Sequence, residues 1–267
     1  MQYNKQEVSE MSQEETKVKS LNKAITLLDI LSSEDGGMKL SQLSQRSGYP
    51  KSTVHALLST MRDRGLVSQT DSGTYTLGIK LFEYGAAVSR GFDISALAKP
   101  YLERLSATTA STAVISMMDN RGVVSFDYAF PAGGVRIMPE IGVRLPLHAT
   151  SQGKLMLAYL PKRTSDSLLK TAVLIPYTPH TVTDTDSLRH GLAAVRENGC
   201  AVEDGEYKIG LRSVSAPVFD NEGAVRYALT TVGFFRRAVS EDFLSAVRDT
   251  VAQARKLSAA LGYVEKS

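Results

Sequence analysis

From Ser20 onward the apolar residues fall into helical register: Leu21, Ala24, Ile25, Leu28 and Leu31 share the spacing of one helix face. Ser20 is the expected N-cap, and Asp35-Gly36-Gly37 ends the element. A short second helix follows, capped by Ser41, with Leu43 inward, Arg46 outward and Gly48 as its left-handed stop. Pro50 sets the start of a third helix whose stripe is Val54, Leu57, Leu58 and Met61 and whose end is Gly65. Two β-rich runs, Leu66 to Gln69 and Thr74 to Leu77, then flank an Asp71-Ser72-Gly73 turn. Residues 1–19 are polar, with too few apolar side chains to order themselves, and a disordered tail is expected there.

Helix, short helix, tight turn, helix and hairpin is the order of a winged helix-turn-helix, expected over residues 20–78. Its second and third helices brace each other steeply, which leaves one face of the third free to enter a major groove. Opposite the stripe lie Lys51, Ser52, Thr53, His55, Ala56, Ser59 and Arg62. Ser52 and Thr53 sit where unpaired backbone amides and the helix dipole attract a phosphate. His55, Ala56 and Ser59 are short enough to approach base edges, and Ala56 suits a thymine methyl. Lys51, Arg46, Arg62 and Arg64 are placed for phosphates, which position a protein without reading sequence. Ser41, at the start of the second helix, joins this DNA-facing set.

Charge agrees with the pattern. Residues 1–35 carry four basic and seven acidic side chains, whereas residues 36–66 carry five basic and one acidic. A basic patch suits a polyanion, although a solvated face is the commoner source of such a cluster. A three-helix module that binds another protein is the competing reading, and helices, hairpin and charge together favour double-stranded DNA.

Beyond the hairpin, an amphipathic linker helix is expected over 79–94. Ile79, Phe82 and Ala86 share one of its faces and Leu81, Gly85 and Val88 another, which suits packing against both its own chain and a partner subunit. A helix then runs from Ile94 to Leu105, kinked at Pro100. Strand-like runs follow at Thr112 to Met117, Val123 to Tyr128, Val135 to Met138, Val143 to His148, Ser213 to Val218 and Ala224 to Val232. Asp119-Asn120-Arg121-Gly122 and Asp220-Asn221-Glu222-Gly223 read as hairpin turns. Helical patterns fill Gly153 to Leu160, Asp186 to Asn198 and Ser240 to Leu261. The fold class expected is therefore α+β in two domains, the second (95–265) a mostly antiparallel sheet flanked by helices. Such a sheet buries one face under helices and can close a small-molecule pocket on the other.

Two features of this half suit a ligand. The loop His148-Ala149-Thr150-Ser151-Gln152-Gly153 leads into a helix start, where amides and hydroxyls favour a carboxylate. Ser213 and Ser215 alternate with Val214 and Ala216, so both serines share one strand face. Capping and solvent-facing serines are the plainer reading of both. Glu203, Asp204 and Glu206 suit a cation, the hydroxyls of a sugar acid, or simply a solvated turn, and the turn is the plainest reading.

The run LSQLSQRSGYPKSTVHALLSTMRDRGLV, followed by YTLGIKLFEYG, resembles the DNA-binding half of the IclR family of bacterial transcriptional regulators. IGVRLPLHATSQGKLMLAYL and GLRSVSAPVFDNEG resemble the same family in its carboxyl half. The resemblance implies a GAF-like α/β effector-binding domain, joined by a linker helix to the winged helix. It also implies homodimers or homotetramers on palindromic operators beside catabolic genes, and repression relieved by a small carboxylate or sugar-acid metabolite, with activation as the alternative. Effector-lining positions of relatives fall on Leu145, Ser151, Gln152, Glu203, Leu211, Ser213 and Thr230. Many relatives carry smaller residues than Ser151 or Gln152 and a serine where this chain has Val232, so effector identity does not transfer.

Composition changes the picture little. The 267 residues are 43% hydrophobic and 22% charged, an ordinary globular chain of one large domain or two modest ones. The first residues carry no basic-then-apolar leader and no apolar run approaches a membrane span, so a cytoplasmic protein without membrane partners is expected. A lone cysteine, Cys200, excludes a disulfide framework, and the four histidines lack metal spacing, so no metal or cofactor is expected. The sequence holds no GxSxG elbow, no GxGxxG, no P-loop and no HExxH. An enzyme using Cys200 as nucleophile is the remaining alternative to a regulator, and a buried inert thiol is the better default.

Overall fold

The computed structural model of the chain describes residues 18–34, 36–91, 94–119 and 122–264. Most of the expected polar tail, Asp35, and the Asn120-Arg121 pair of the first hairpin turn lie outside those residues. The chain divides between Phe92 and Asp93 into two compact units.

The first unit contains α1 (Lys19–Ser32), β1 (Met38–Lys39), α2 (Leu40–Ser47), α3 (Lys51–Asp63), β2 (Val67–Gln69), β3 (Thr74–Leu77) and α4 (Ile79–Gly91). Its strands form an antiparallel sheet in the order β1-β3-β2. β1 is a strand the pattern misses, because two residues carry no period. Gly37, just before it, has φ 80°, and a Cβ there would stand 2.3 Å from the Tyr75 carbonyl oxygen. Only glycine lets β1 approach β3 so closely.

The core of this unit gathers Leu27, Leu31, Leu43, Val54, Leu58, Met61 and Tyr75 among others. The α3 stripe lies where the pattern predicts. The α1 stripe needs correcting: Leu21 and Ile25 are exposed, and Leu27 is fully buried instead. An apolar helix offers two overlapping stripes, and docking on α2 and α3 selects the one through Ala24, Leu27, Leu28 and Leu31. The caps also differ. α1 begins before Ser20, with Val18 at its N-cap, and Ser41 lies inside α2 rather than capping it. There the Lys39 backbone N–H donates to Gln42 Oε1 at 2.8 Å. Gly48, at φ 71°, ends α2, and Pro50 is the N-cap of α3.

The second unit contains α5 (Ile94–Thr109), β4 (Thr112–Asp119), β5 (Gly122–Ala129), β6 (Arg144–Leu145), α6 (Ser151–Tyr159), α7 (Lys162–Thr171), α8 (Thr185–Asn198), β7 (Ala201–Asp204), β8 (Arg212–Phe219), β9 (Val225–Gly233) and α9 (Glu241–Ala260). Six strands form one sheet in the order β6-β5-β4-β9-β8-β7, with antiparallel neighbours throughout. β8 shows how its two faces differ. Val214 packs with Phe243 and Ala246 of α9, while Ser213 and Ser215 reach the Ser151 hydroxyl of α6. Alternation along one strand thus gives an apolar face under α9 and a hydroxyl-bearing face under α6.

Three expectations are corrected here, and one helix is added. Val135 to Met138 is not a strand: the chain runs irregularly from Phe130 to Glu140, and the Ile137 N–H donates to Thr112 Oγ1 at 3.0 Å. Gly133, Gly134 and Pro139 flank that segment, and none supports a ladder. Val143 to His148 shortens to the two-residue β6. Glu203 and Asp204, read as part of a turn, belong to β7, which pairs with β8 through Glu203↔Ser213. α7 went unread because KRTSDSLLKT buries little more than Ser165 and Leu169. Among the described residues no helix is long and apolar enough to cross a membrane.

Candidate functional site

α3 presents two unlike faces. Val54, Leu58 and Met61 are buried in the core, while Lys51, Ser52, His55, Ala56 and Arg62 are exposed and Thr53 and Ser59 half-buried. Its N-cap, Pro50, brings no side-chain hydrogen bond to the first turn, and that turn holds no acidic residue. Unpaired amides there carry the positive end of the helix dipole. Arg62 donates to Gln69 Oε1 of β2 at 2.9 Å, which ties the guanidinium to the hairpin. Ser41 is exposed at the start of α2. Arg46 is exposed too, but it is not a free cation: it pairs with Glu34 and donates to the Ser33 hydroxyl at 3.3 Å.

Of the two apolar faces expected on the linker helix, Ile79 and Phe82 are exposed and Leu81 is half-buried. The side chains of Ala86 and Val88 lie outside the described residues. α4 ends at Gly91 and α5 begins at Ile94.

In the second unit a cavity with about 580 Å³ of empty space, part of it continuous with solvent, opens between the hydroxyl-bearing sheet face and the start of α6. Leu145, Gln152, Glu203, Leu211 and Ser213 line it. Ser151 and Thr230 do not reach the cavity and stand one layer behind. Ser151 Oγ lies 2.8 Å from Ser213 Oγ and 2.7 Å from Ser215 Oγ, and Ser215 Oγ lies 2.8 Å from Thr230 Oγ1. All four hydroxyl side chains are buried, so the solvent-facing reading of the serine pair does not hold.

The solvated-turn reading of the acidic stretch is corrected as well. Glu203 is only 3% exposed and Glu206 only 8%. The Glu203 carboxylate accepts the Glu206 N–H (2.5 Å) and the Tyr207 N–H (3.2 Å) on Oε1, and the Ser213 hydroxyl (3.0 Å) on Oε2. Burial, the largest influence, raises its pKa above the usual carboxylate value, and those three hydrogen bonds oppose the rise. Glu206 pairs with the buried Lys154 of α6, and its Oε2 has no partner among the described residues. Asp204 alone is exposed and pairs with Arg212 at 2.6 Å.

Sequence reasoning missed several members of the cavity wall. Val114, Ser125, Glu140, Tyr207 and Lys208 come from segments far apart in the chain. Lys208 Nζ holds Glu140 Oε1 at 2.8 Å, and the Tyr207 hydroxyl donates to Glu140 Oε2 at 3.3 Å. These bonds join the irregular segment before β6 to the turn after β7. No local pattern announces such a meeting. Cys200 is buried, and burial raises its thiol pKa, which disfavours the thiolate a nucleophile needs. Among the described residues no cluster of His, Cys, Asp or Glu side chains is arranged to hold a metal ion.

A winged helix with an open recognition face, and a separate sheet unit enclosing a polar-floored cavity, define a DNA-binding regulator with a small-molecule pocket. The chain matches the IclR helix-turn-helix domain over residues 20–71 and the bacterial transcriptional regulator IclR C-terminal domain over residues 86–259, and it belongs to the IclR family. It is 34% identical to the HTH-type transcriptional regulator XynR of Escherichia coli, over 92% of this chain and 98% of that one. It is 30% identical to the transcriptional repressor IclR of the same species, over 90% and 88% respectively. Among solved structures, an IclR transcriptional regulator from Alicyclobacillus acidocaldarius is 31% identical and superposes with a TM-score of 0.77, covering 92% of this chain and 100% of that one. The chain is thus a ligand-responsive transcriptional regulator built on the expected α+β plan.

Proposed function

We propose that this chain is a cytoplasmic repressor of a catabolic operon, released from a palindromic operator when a small carboxylate or sugar acid fills the cavity of its second unit. The observation that carries the reading is the division of α3 into a buried stripe and an exposed face of short polar and basic residues whose first turn holds no acid. In this reading Ser52 and Thr53 meet a phosphate at the helix start, His55, Ala56 and Ser59 face base edges, and Lys51, Arg62 and Ser41 hold the backbone. Arg46 joins them by exchanging Glu34 for a phosphate. Two copies, paired as a dimer or as half of a tetramer, set their α3 helices about 34 Å apart in successive major grooves. The chain acts by binding and not by turnover. Effector and operator affinities are coupled reciprocally, so effector weakens operator binding and operator weakens effector binding by the same factor. Relatives at 30% identity that bear the name of repressor support the sign of regulation.

Footprinting on the promoters flanking the gene, followed by reporter assays in a deletion strain, tests the reading. Derepression on deletion is expected, and loss of expression would make the chain an activator. Two variants refine the interface. Lys51→Ala weakens binding to all sequences and lowers the slope of log K against log salt by about 1; an unchanged slope refutes the phosphate contact. His55→Ala changes preference at one or two base positions, by about 1–3 kcal/mol, as a binding-site selection reads out. Uniform loss on every sequence refutes base reading by His55.

A further inference from the structure

The buried hydroxyls beside the cavity have a direction. A serine or threonine hydroxyl carries one proton and two lone pairs. Ser213 gives its proton to Glu203 Oε2, and with two backbone N–H groups donating to Oε1 the carboxylate is surrounded by donors, an arrangement that favours its charged, accept-only form. Its 2.8 Å contact with Ser151 is therefore a bond that Ser151 donates. Gln152 Oε1 also lies 3.4 Å from Ser151 Oγ and at most shares that same proton with the much nearer Ser213, so Ser151 has none left for Ser215, and Ser215 donates across the 2.7 Å contact. By the same count Thr230 donates to Ser215 across 2.8 Å. Every proton of the chain Thr230, Ser215, Ser151, Ser213 runs toward Glu203. The backbone amides of Glu206 and Tyr207 fill both sites of Oε1.

Two acceptor sites stay open where this chain meets the cavity: the second lone pair of Glu203 Oε2 and that of Ser213 Oγ. Both residues line the cavity, and the two atoms lie 3.0 Å apart, a spacing that hydroxyls on adjacent carbons of one molecule span. This wall end offers no donor. A plain carboxylate or an oxo group, having only acceptors, would leave both sites unpaired and face the Glu203 charge. Donors lie elsewhere on the lining, in the Gln152 amide and the Lys208 ammonium, and suit the acid end of the same molecule.

Resting on the reading of this cavity as the effector site, we infer that the effector is a polyhydroxylated acid that gives hydroxyl protons to Glu203 and Ser213, and that the site rejects oxo acids and unsubstituted carboxylates of the same length. Glu203 is then the specificity-determining residue. Its direction of selection follows from the proton count and from no property of shape.

Calorimetric titration of the full chain with matched acids tests this, using glycerate against propionate and pyruvate, and gluconate against hexanoate. The hydroxylated member of a pair is expected to bind at least about tenfold more tightly. In Glu203→Gln the amide oxygen keeps the two backbone donors and the amide nitrogen turns a donor toward Ser213 and the cavity. That variant is expected to lose the preference for hydroxylated acids and to bind propionate or hexanoate as well as or better than the parent does, with a parent-like circular dichroism spectrum and a single cooperative unfolding transition as proof of folding. If propionate, pyruvate or hexanoate bind the parent as tightly as their partners, and Val114→Trp abolishes that binding by filling the cavity, the effector site stands and the selection rule is overturned. If neither series binds, or if binding survives Val114→Trp, the effector reading itself falls and the inference with it.

Discussion

Ala56→Glu is expected to abolish operator binding, weakening it by about 100-fold or more, ~3 kcal/mol, while thermal unfolding stays within a degree or two of the parent. Ala56 is exposed on α3, midway along the face that carries Ser52, His55 and Ser59. A glutamate there disturbs no packing and suits a helix almost as well as alanine. Its carboxylate would meet phosphates and the acceptor-rich floor of the major groove, where repulsion and lost counterion release act together. A mobility-shift titration at fixed salt, alongside a melting curve, reads both quantities. Full operator affinity in Ala56→Glu would move the recognition surface away from α3. The same variant should keep its effector affinity in the absence of DNA, because the cavity belongs to the other unit.

Gly153→Ala is expected to cripple the second unit instead. A Cβ on Gly153 would stand 2.4 Å from Leu147 Cα, 2.5 Å from the Leu147 carbonyl oxygen and 2.6 Å from that of Pro146. All three atoms are backbone, so no rotamer change relieves the clash. The loop is closed further by hydrogen bonds: the Gly153 N–H donates to Thr150 Oγ1 at 3.1 Å, and the Thr150 hydroxyl donates to the Pro146 carbonyl at 2.7 Å. Prying the loop from α6 would displace Ser151 and Gln152, which brace and line the cavity. A loss of about 3 kcal/mol or more is expected, the range reached when a close backbone approach is blocked. Chemical denaturation of the full chain measures the stability, and effector-driven operator release measures the function; both should fail together. Unchanged stability in Gly153→Ala would show that the loop has room to move.

How much of this was legible beforehand depends on how local the signal is. The α3 stripe, the Gly48 and Gly65 stops and the β2–β3 hairpin were readable because periodicity and turn chemistry act within a few residues. The face of α1 was misread, since two apolar stripes compete and only docking on α2 and α3 selects Leu27 over Leu21 and Ile25. Family resemblance placed Leu145, Gln152, Glu203, Leu211 and Ser213, and all five line one cavity. It did not indicate that Ser151 and Thr230 stand behind that lining, hydrogen-bonded to Ser213 and Ser215.

What residue order alone established is most of the longer elements and the chemistry of one helix face: spacing sets which side chains a helix shows together, and the basic and short polar residues of α3 had no other face to occupy. Tertiary structure decided what becomes of the acidic stretch and the serines. Three carboxylates in four residues look like a wet turn until β7 pairs with β8 and carries Glu203 and Glu206 out of water. Once there, a charge must collect donors from wherever the fold supplies them, and those donors lie 3, 4 and 10 residues away along the chain, with Ser151 behind them a further 62 from Ser213. Separations of that size are set by sheet pairing and helix docking, which no periodicity records.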